Sequence, residues 1–556
     1  MPSAYSRATV ADRLALATVL EEDGFSQRQQ VACMDLPRST LRDWQQRQQA
    51  LDVDPAWVAF FTSPAGEAFL QRTVVALHMV LELSGAGGIR RVSQFLELTR
   101  LDRFVASSYG PQHGVAMALE KAVVSFGQEE GQRLGATMPA HSIALCEDET
   151  YHPQPCLVAI EPVSNFIVLE QYTPDATAAT WTQALQAALG DWPVAIVQVT
   201  ADEGRALSHH IKEELGVHHT SDLFHIQQDG VQATSVGLAR RTRQAEKARE
   251  QAQEQVAVVE AHQAAYAQGP RPPGRPPDFA RRLQTAQAAV DQAQQTLDTA
   301  QYQQEQAHTA RQGINQAYHP YDLDTGASRA PETVEADLKR HMDTLEILVQ
   351  QADLSDHCRQ KVKKLRGHLT NMVATITFFF ALIQLKIDAL DLTPEVEAAV
   401  YTDRIPAFYL TDVAGKAPTA EQRRELRQKA QQRAASWQAR AGPVQELTTE
   451  EQTVIEAVAR ECAQLFQRSS SCVEGRNGQL AWRHHHLHQI RPRKLQALTV
   501  VHNYFTRRRD GTTAAQRFFG ALPRDLFEWV LERVPLPGWP AQKRPRPHLT
   551  DSLTWN

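Results

Sequence analysis

Acidic residues stand at the ends of two apolar runs that have the character of buried strands. The run "IALCEDET" ends in Glu147, Asp148 and Glu149, and the run "PVAIVQVT" is followed by Asp202. An unpaired charge at the end of a buried strand is costly, so these carboxylates need a compensating cation. Divalent Mg²⁺ or Mn²⁺ prefers oxygen ligands, and adjacent strands would bring Asp148 and Asp202 beside one pair of such ions. The pattern predicts a metal-dependent site.

A third acid, Glu474, is expected on a later helix and stands alone beside a basic tract. Residues 475–509 contain eight Lys or Arg residues and no Asp or Glu. The eight are Arg476, Arg483, Arg491, Arg493, Lys494, Arg507, Arg508 and Arg509. A phosphodiester site requires a metal ligand at its centre and phosphate-binding cations around it. We therefore interpret Glu474 as the third metal ligand and the eight cations as DNA contacts.

Each acid also has an ordinary structural interpretation. Side chains alternate between the two faces of a strand, so Glu147 and Glu149 should point away from Asp148. We expect them to be solvated or to contact the metal ligands without binding the metal. Asp202 is also suited to cap the helix that follows it. Glu474 is also suited to the first turn of a helix, where the helix dipole favours an acid.

The elements that must position these acids follow from a change in hydrophobic period near residue 141, from about 3.6 to about 2. Five short β-rich runs and two helical runs follow in the order βββαβαβ. The strands are expected in "HSIALCEDE", "PCLVAIEPV", "NFIVLEQY", "PVAIVQVT" and, more weakly, "VHHTSDLFH". This order predicts the opening of a ribonuclease H-like α/β core, within a multidomain α+β protein.

Residues 8–48 predict three short helices, of which the last two are joined by a tight turn and the third is rich in Arg and Gln. This is the pattern of a helix-turn-helix, and an ordinary three-helix bundle is the alternative. The residues expected to face a DNA groove are Arg38, Ser39, Thr40 and Arg42. Leu41 and Trp44 are expected to pack inward. The helical segment at 51–138 is a possible second DNA-binding unit.

After His225 the pattern is helical for more than 200 residues. Apolar residues recur every seven positions on both sides of the Pro-rich breaker "GPRPPGRPPD". They are Leu238, Ala245, Ala252, Val259 and Tyr266 before it, and Leu283, Val290 and Leu297 after it. Two heptad helices joined by a stiff turn predict an antiparallel coiled-coil hairpin at about residues 238–312. The sequence leaves three roles open for this hairpin: structural support, dimerisation, or contact with DNA along its length.

Composition sets the remaining limits. A chain of 556 residues is long enough for several domains. Because the net charge is −6, any nucleic-acid binding must depend on local basic patches. The six cysteines lack CxxC spacing, which argues against a zinc site and against a disulfide framework. The most apolar stretch, residues 372–385, is shorter than the roughly 20 residues of a membrane span, so we predict a buried helix and no membrane partner.

Several of these segments together resemble a DDE transposase of a bacterial insertion sequence. The resemblance lies in "CEDET", "TADEG", "DLFH", "CVEGRNGQL" and "HNYFTRRRDGTTAAQRFF", and it covers roughly residues 140–228 and 467–520. It implies that Asp148, Asp202 and Glu474 form the catalytic triad and bind two Mg²⁺ or Mn²⁺ per active site. It further implies supporting roles for Asp222, His225 and Asn477, which lie at or near family positions beside the site.

The resemblance implies an enzyme that binds double-stranded DNA, both transposon ends and target, as a homodimer or larger homo-oligomer in the bacterial cytoplasm, associated with the nucleoid. Two rival interpretations are a metal-dependent nuclease without strand transfer and a non-catalytic, transposon-derived DNA-binding protein. The expected divisions are a helix-turn-helix domain (1–50), a helical segment (51–138), the first part of the core (139–228), a helical insertion (229–466), the closing catalytic helix with its basic segment (467–510) and a C-terminal tail (511–556).

Overall fold

The computed structural model describes residues 5–540 except 6, 50, 52, 86, 271–273, 441 and 488–489. It is a mixed α+β fold in which one five-stranded sheet is surrounded by many helices. Two large apolar clusters hold the described residues together. The first surrounds the sheet, and the second fills the helical insertion.

Three helices begin the described chain, as predicted: α1 (Arg7–Glu22), α2 (Gln27–Met34) and α3 (Arg38–Gln49). Their small core contains Met34 and Leu41, and Trp44 packs against it as expected. Ser26 caps α2 through a capping box with Gln29, which fixes where that helix starts. Because Leu41 points inward, the opposite face of α3 is left in solvent.

The next helices are α4 (Pro55–Thr62), α5 (Pro64–Leu77), α6 (Ile89–Leu98) and α7 (Tyr109–Gly135), with a π-helix at His78–Ser84 and a short 3₁₀ turn at Leu101–Arg103. Their apolar faces contribute to the same cluster as the sheet, for example through Leu96 and Phe126. The segment considered as a second DNA-binding unit is therefore packed into the body of the molecule.

The sheet contains the five predicted strands, β1 (His141–Tyr151), β2 (Pro155–Glu161), β3 (Phe166–Tyr172), β4 (Val194–Ala201) and β5 (His218–Ser221). Their spatial order is β3-β2-β1-β4-β5. The meander β1–β2–β3 is antiparallel, whereas β4 and β5 run parallel to β1. Helix α8 (Ala178–Leu189) makes the crossover to β4, and α9 (Arg205–His209) with the π-helix His210–Glu214 makes the crossover to β5.

The insertion starts with two long helices, α10 (Leu223–Gln268) and α11 (Phe279–Ala317). Hydrogen bonds join Thr242 to Gln304 and Arg311 to Thr234, so the helices are antiparallel. The seam between the two helices is buried at Ala245, Leu297 and Ala300, which form a small apolar cluster separate from the two large ones. Farther along the hairpin, toward the turn, the seam residues are half-buried. The predicted hairpin is thus confirmed, including its thin seam of small residues.

The rest of the insertion is a helical bundle. It comprises α12 (Pro331–Gln351), α13 (Asp356–Gly367), α14 (Leu369–Asp388), α15 (Pro394–Ala399), a π-helix (Val400–Arg404), α16 (Ile405–Lys416), α17 (Ala420–Ala439), α18 (Pro443–Glu446) and α19 (Thr449–Gln464). Among the described residues, one stretch, Asp356–Asp388, has the length and apolar composition of a membrane span. Core helices share those properties, and Ile376, Phe379 and Ile383 of α14 are buried in the second cluster, which confirms the prediction of a buried helix for one of its faces.

The chain ends with α20 (Ser471–Leu487), α21 (Pro492–Tyr504), α22 (Ala514–Phe519) and α23 (Leu526–Leu531). These helices return to the sheet, where the ring of Phe518 stacks on Phe166 with centroids 4.5 Å apart and Trp529 contacts Phe126. Residues 511–540, expected to be a tail, are therefore part of the core because their aromatic side chains complete it. Residues 541–556 lie outside the described part.

Candidate active site

Three aspartates lie side by side at the carboxyl ends of the parallel strands. Cys146 of β1 pairs with Thr200 of β4, and Ala201 of β4 pairs with Ser221 of β5. Continuing these registers places Asp148 beside Asp202, and Asp202 beside Asp222. Since neighbouring strands are about 4.8 Å apart, the three carboxylates share one edge of the sheet.

Glu474 and His225 reach the same edge from two helices. Helix α20 contacts β1 and carries Glu474 in its first turn. The Nε2 atom of His225, at the start of α10, lies 3.7 Å from Oε1 of Glu474 and 3.8 Å from Oδ2 of Asp222. One ligand atom from each of Asp222, His225 and Glu474 falls within 4.8 Å of the others, so this group could hold a metal ion.

Asp148 is the most perturbed acid of the site. Burial, together with the nearby charges of Glu474 and Asp202, raises the pKa of Asp148 to about 7. Asn477, one turn after Glu474 on α20, donates a 2.9 Å hydrogen bond from Nδ2 to Oδ2 of Asp148. The buried Oδ1 atom of Asn477 has no hydrogen-bond partner among the described residues. Asp148 and Asp202 thus lie near enough to Glu474 for their charges to interact, and Asn477 links α20 to Asp148. Among the described residues, the group of ligand atoms within 4.8 Å of one another contains Glu474 but neither of these two aspartates.

Asp222 is fixed by the backbone around it. It is 1 % exposed, caps α10 through the amide of Phe224 (2.9 Å), and accepts a 3.0 Å hydrogen bond from the amide of Ser470. The hydroxyl of Ser470 donates to the second carboxylate oxygen. Asp222 therefore joins the start of α10 to the segment before α20, which sets the position of Glu474 relative to His225.

The donor set fits a hard divalent cation. Asp148, Asp202 and Glu474 offer carboxylate oxygens, which Mg²⁺ and Mn²⁺ prefer, and His225 adds a nitrogen that Mn²⁺ accepts. The pKa of Asp148 is raised first by burial and then by the charges of Glu474 and Asp202. A bound cation would remove that penalty, so the described residues are consistent with the metal site expected from sequence.

The neighbours of Asp148 face the other side of the sheet. Glu147, expected to be solvated or supporting, is instead fully buried, and its Oε2 lies 3.5 Å from Nε2 of His210. Glu149 accepts a 3.2 Å hydrogen bond from the indole of Trp181, whose ring stacks on His210. These two acids are held by α8 and the following crossover rather than by the metal site.

A hydrogen-bond network that sequence reasoning missed ties the insertion to Glu203 and Ser221, the residues next to Asp202 and Asp222. Glu203, directly after Asp202, accepts hydrogen bonds from Nδ1 of His368 (2.7 Å) and from the hydroxyl of Ser221 (2.6 Å). The His368 hydrogen bond lowers the pKa of Glu203 to about 2. Asn371 of α14 donates to Ser221 at 2.7 Å. Only the adjacent acids in "TADEG" hinted at Glu203; nothing in the sequence pairs it with His368.

The basic tract divides into buried and exposed residues. Arg476, predicted to contact DNA, is 5 % exposed and forms a bidentate salt bridge of 2.6 Å with Glu170 of β3. Arg483 is also buried and donates to backbone carbonyls at residues 83–85. Lys494 forms a 2.6 Å salt bridge with Glu82. The fold supplies the acids that the tract lacks, so in this structure these three cations stabilise the body and do not face solvent.

The other predicted DNA contacts are accessible. The exposed members of the tract are Arg491, Arg493, Arg507, Arg508 and Arg509. Arg38, Ser39 and Arg42 are exposed on α3, and Thr40 is half-buried. Arg38 donates a 2.9 Å hydrogen bond to Gln27 of α2, which holds the two helices together at their exposed edge. These residues remain predictions for DNA contact.

Comparison with known proteins gives one match. A family of unknown function, DUF6399, matches residues 400–546, which is less than half of the chain. The matched span contains Glu474, Asn477 and the whole basic tract, but neither Asp148 nor Asp202. The searches against curated proteins and against solved structures found no match.

Proposed function

We propose that this chain is a DNA transposase that cuts and joins DNA strands with a DDE triad of Asp148, Asp202 and Glu474. The observation that carries the proposal is the proximity of these acids, which come from strand ends and a helix far apart in sequence: burial, then the charges of Glu474 and Asp202, raise the pKa of Asp148 to about 7. A cluster of acids that repel one another and lack a countercharge is expected where the natural occupant is a divalent cation.

The architecture supports the same proposal. The sheet order β3-β2-β1-β4-β5, with β1, β4 and β5 parallel, is the arrangement expected of a ribonuclease H-like core. Helices α2 and α3 are suited to a helix-turn-helix, with the exposed face of α3 toward DNA. The insertion α10–α19 lies in sequence between β5 and the helix that carries Glu474.

The residues of the chain have separable tasks in this proposal. Asp148, Asp202 and Glu474 would hold two Mg²⁺ or Mn²⁺, which when bound activate a water or a DNA 3′-hydroxyl and stabilise the leaving oxygen. Asn477 orients Asp148 by occupying one of its two oxygens. His225, between Glu474 and Asp222, fixes the spacing of those carboxylates and remains partly exposed to an incoming phosphate.

The proposed partners follow from the reaction. Transposition must hold two DNA ends and a target, so the working form is a homodimer or larger homo-oligomer on double-stranded DNA, in the bacterial cytoplasm with the nucleoid. The two rivals remain a metal-dependent nuclease and a binding protein without chemistry. The convergence of all three acids favours an enzyme over the second rival.

The test uses the purified full chain, Mg²⁺ and a DNA fragment that carries the gene with its natural flanks. Joined products support the transposase, nicks alone support the nuclease, and bound but intact DNA supports the binding protein. We expect Asp148→Ala, Asp202→Ala and Glu474→Ala each to lower product formation about a hundredfold or more, since each removes stabilisation of transition-state charge. DNA binding should be retained.

Glu213→Ala is the matched control, because Glu213 is an exposed acid on the crossover between β4 and β5 that forms no ion pair among the described residues. Its activity should equal that of the wild type. Near-normal cleavage by any of the three triad variants in Mg²⁺ would remove that residue from the proposed triad.

A further inference from the structure

Helix α10 starts inside the candidate site and leaves it without a break. Its first turn carries His225, and the helix continues for 46 residues to Gln268. The face that carries the half-buried His225 is covered one turn later, where Asp229 pairs with Lys361 and Lys364 of α13, and is exposed again at Gln232 and Val236. Anything elongated that enters the site along this face must therefore lie against α10.

The same face turns basic farther out. Arg240, Arg243 and Lys247 are all exposed. At 3.6 residues per turn, the 18 residues from His225 to Arg243 make five whole turns, so both side chains point in one direction. With a rise of 1.5 Å per residue, the three cations stand about 22 to 33 Å from His225. We call Arg240, Arg243 and Lys247 the α10 stripe.

The charges of the α10 stripe are not neutralised. Within the described residues, none of the three forms an ion pair or a side-chain hydrogen bond, whereas Lys361 and Lys364 on neighbouring α13 are both paired with Asp229. Beyond the stripe, acids predominate before and after residues 271–282, which themselves carry Arg271, Arg275, Arg281 and Arg282 with Asp278. The segments 251–270 and 283–310 contain no Lys or Arg but carry Glu254, Glu260, Asp291, Asp298 and Glu305.

We propose that the α10 stripe binds the phosphate backbone of the double-stranded DNA whose cleaved phosphate occupies the active site, an inference that rests on the proposed function. Base pairs are stacked 3.4 Å apart, so the stripe contacts phosphates about seven to ten base pairs from the cut. Contacts of this kind position the duplex and carry no sequence information.

A double-stranded partner is favoured by the geometry. The three cations lie along a straight line over about 11 Å of helix axis, which matches a stiff backbone better than a flexible single strand. The N-terminal helices and the acids of the site already point to DNA. Duplex RNA has the same charge, so it is an outcome to be tested rather than a second proposal.

The experiment measures binding of the full chain to a 6-base-pair DNA duplex closed by a hairpin loop and to a 24-base-pair duplex, by fluorescence anisotropy in Ca²⁺, across a series of salt concentrations. Arg240→Ala/Arg243→Ala removes two stripe cations. We expect about tenfold weaker binding to the 24-mer at 100 mM salt, and a salt slope smaller by about two, because each phosphate contact contributes about 0.9 to that slope. Binding to the 6-mer, which spans about 20 Å and therefore ends before Arg240, should change much less.

The matched control is Arg424→Ala/Arg427→Ala. These two arginines have the same three-residue spacing, are exposed on α17, and form no ion pair within the described chain. Arg240→Lys/Arg243→Lys is the rescue variant and should restore binding, since Lys also neutralises phosphate. Both alanine variants should keep the wild-type free energy of unfolding within about 0.5 kcal/mol, as exposed substitutions do.

The outcomes separate this inference from the proposed function. If the chain binds no DNA of either length, the proposed function fails and the inference fails with it. If the chain binds DNA but the stripe variant binds the 24-mer as tightly as the α17 control, the inference is overturned and the transposase proposal stands. Tighter binding to a 24-base-pair RNA duplex than to the DNA duplex would overturn the choice of partner.

Discussion

Replacing Asp148 by Asn should stabilise the protein at neutral pH when divalent cations are absent. The pKa of this carboxyl is raised from 3.8 to about 7, mainly by burial and then by the charges of Glu474 and Asp202. An acid whose pKa is raised on folding stabilises the unfolded state as it ionises. The cost is absent below pH 3.8, grows as the pH rises from 3.8 to 7, and is complete above 7. An Asn side chain carries no such cost.

The size of the effect follows from the pKa. At about 1.4 kcal/mol per pH unit, the rise from 3.8 to about 7 corresponds to about 4 kcal/mol at most. Asp148 is only partly buried, so solvent screens a large share, and we expect about 1 to 2 kcal/mol. The Asn side chain can still accept the hydrogen bond from Asn477, which keeps the comparison close to a change of charge alone.

The assay is urea unfolding of wild type and Asp148→Asn in EDTA at pH 4, 6 and 8. The two proteins should be equally stable at pH 4, and the variant should be more stable by about 1 to 2 kcal/mol at pH 8. Saturating Mn²⁺ should then favour the wild type, because ligand at 100 times its dissociation constant stabilises the folded state by about 2.7 kcal/mol. If Asp148→Asn were less stable than the wild type in EDTA by the same amount at pH 4, 6 and 8, the ionised Asp148 carboxylate would not be the source of the cost.

Two further predictions concern the surroundings of the site. Arg476→Met should destabilise the fold by about 3 to 5 kcal/mol in urea unfolding, because it leaves Glu170 buried without a partner, whereas Arg493→Met should change stability by less than about 0.5 kcal/mol. Equal stability of the two variants would contradict the structural role of Arg476. His368→Leu should lower the free energy of unfolding by about 1 kcal/mol at pH 7, a modest value because Glu203 is 41 % exposed. This loss should disappear as the pH falls from 4.5 toward 2, because Glu203 then becomes protonated in both the folded and the unfolded state. A cost that does not depend on pH would mean that packing, not the hydrogen bond, is lost.

The sequence predicts the sheet and its acids well because both follow from local rules. The change to a period of two marks the strands, and a carboxylate at the end of an apolar run is too costly to be incidental. That reasoning located Asp148 and Asp202 at neighbouring strand ends without any knowledge of tertiary contacts. The heptad spacing likewise predicted the hairpin, since Leu238 and Leu297 fall on its buried seam.

The sequence predicts the basic tract poorly because the partners of its cations are distant. Arg476 pairs with Glu170 on β3, and Lys494 pairs with Glu82 in the helical segment before the sheet. Counting charges within residues 475–509 cannot detect acids that only the fold brings near. The same limit hid the contact between His368 and Glu203, which are 165 residues apart.

The continuity of α10 has a mechanical consequence. One end of the helix is fixed at Asp222 in the candidate site, and the other lies about 69 Å away at the far end of the hairpin. A rod of that length converts a displacement of several ångströms at its free end into a tilt of only a few degrees at its anchored end. Buried residues of α10 from Ile226 to Ala245 hold its first half against the body, so this tilt is resisted before it reaches His225. A partner bound at the distant end can therefore displace the outer hairpin by several ångströms while the candidate site stays nearly fixed.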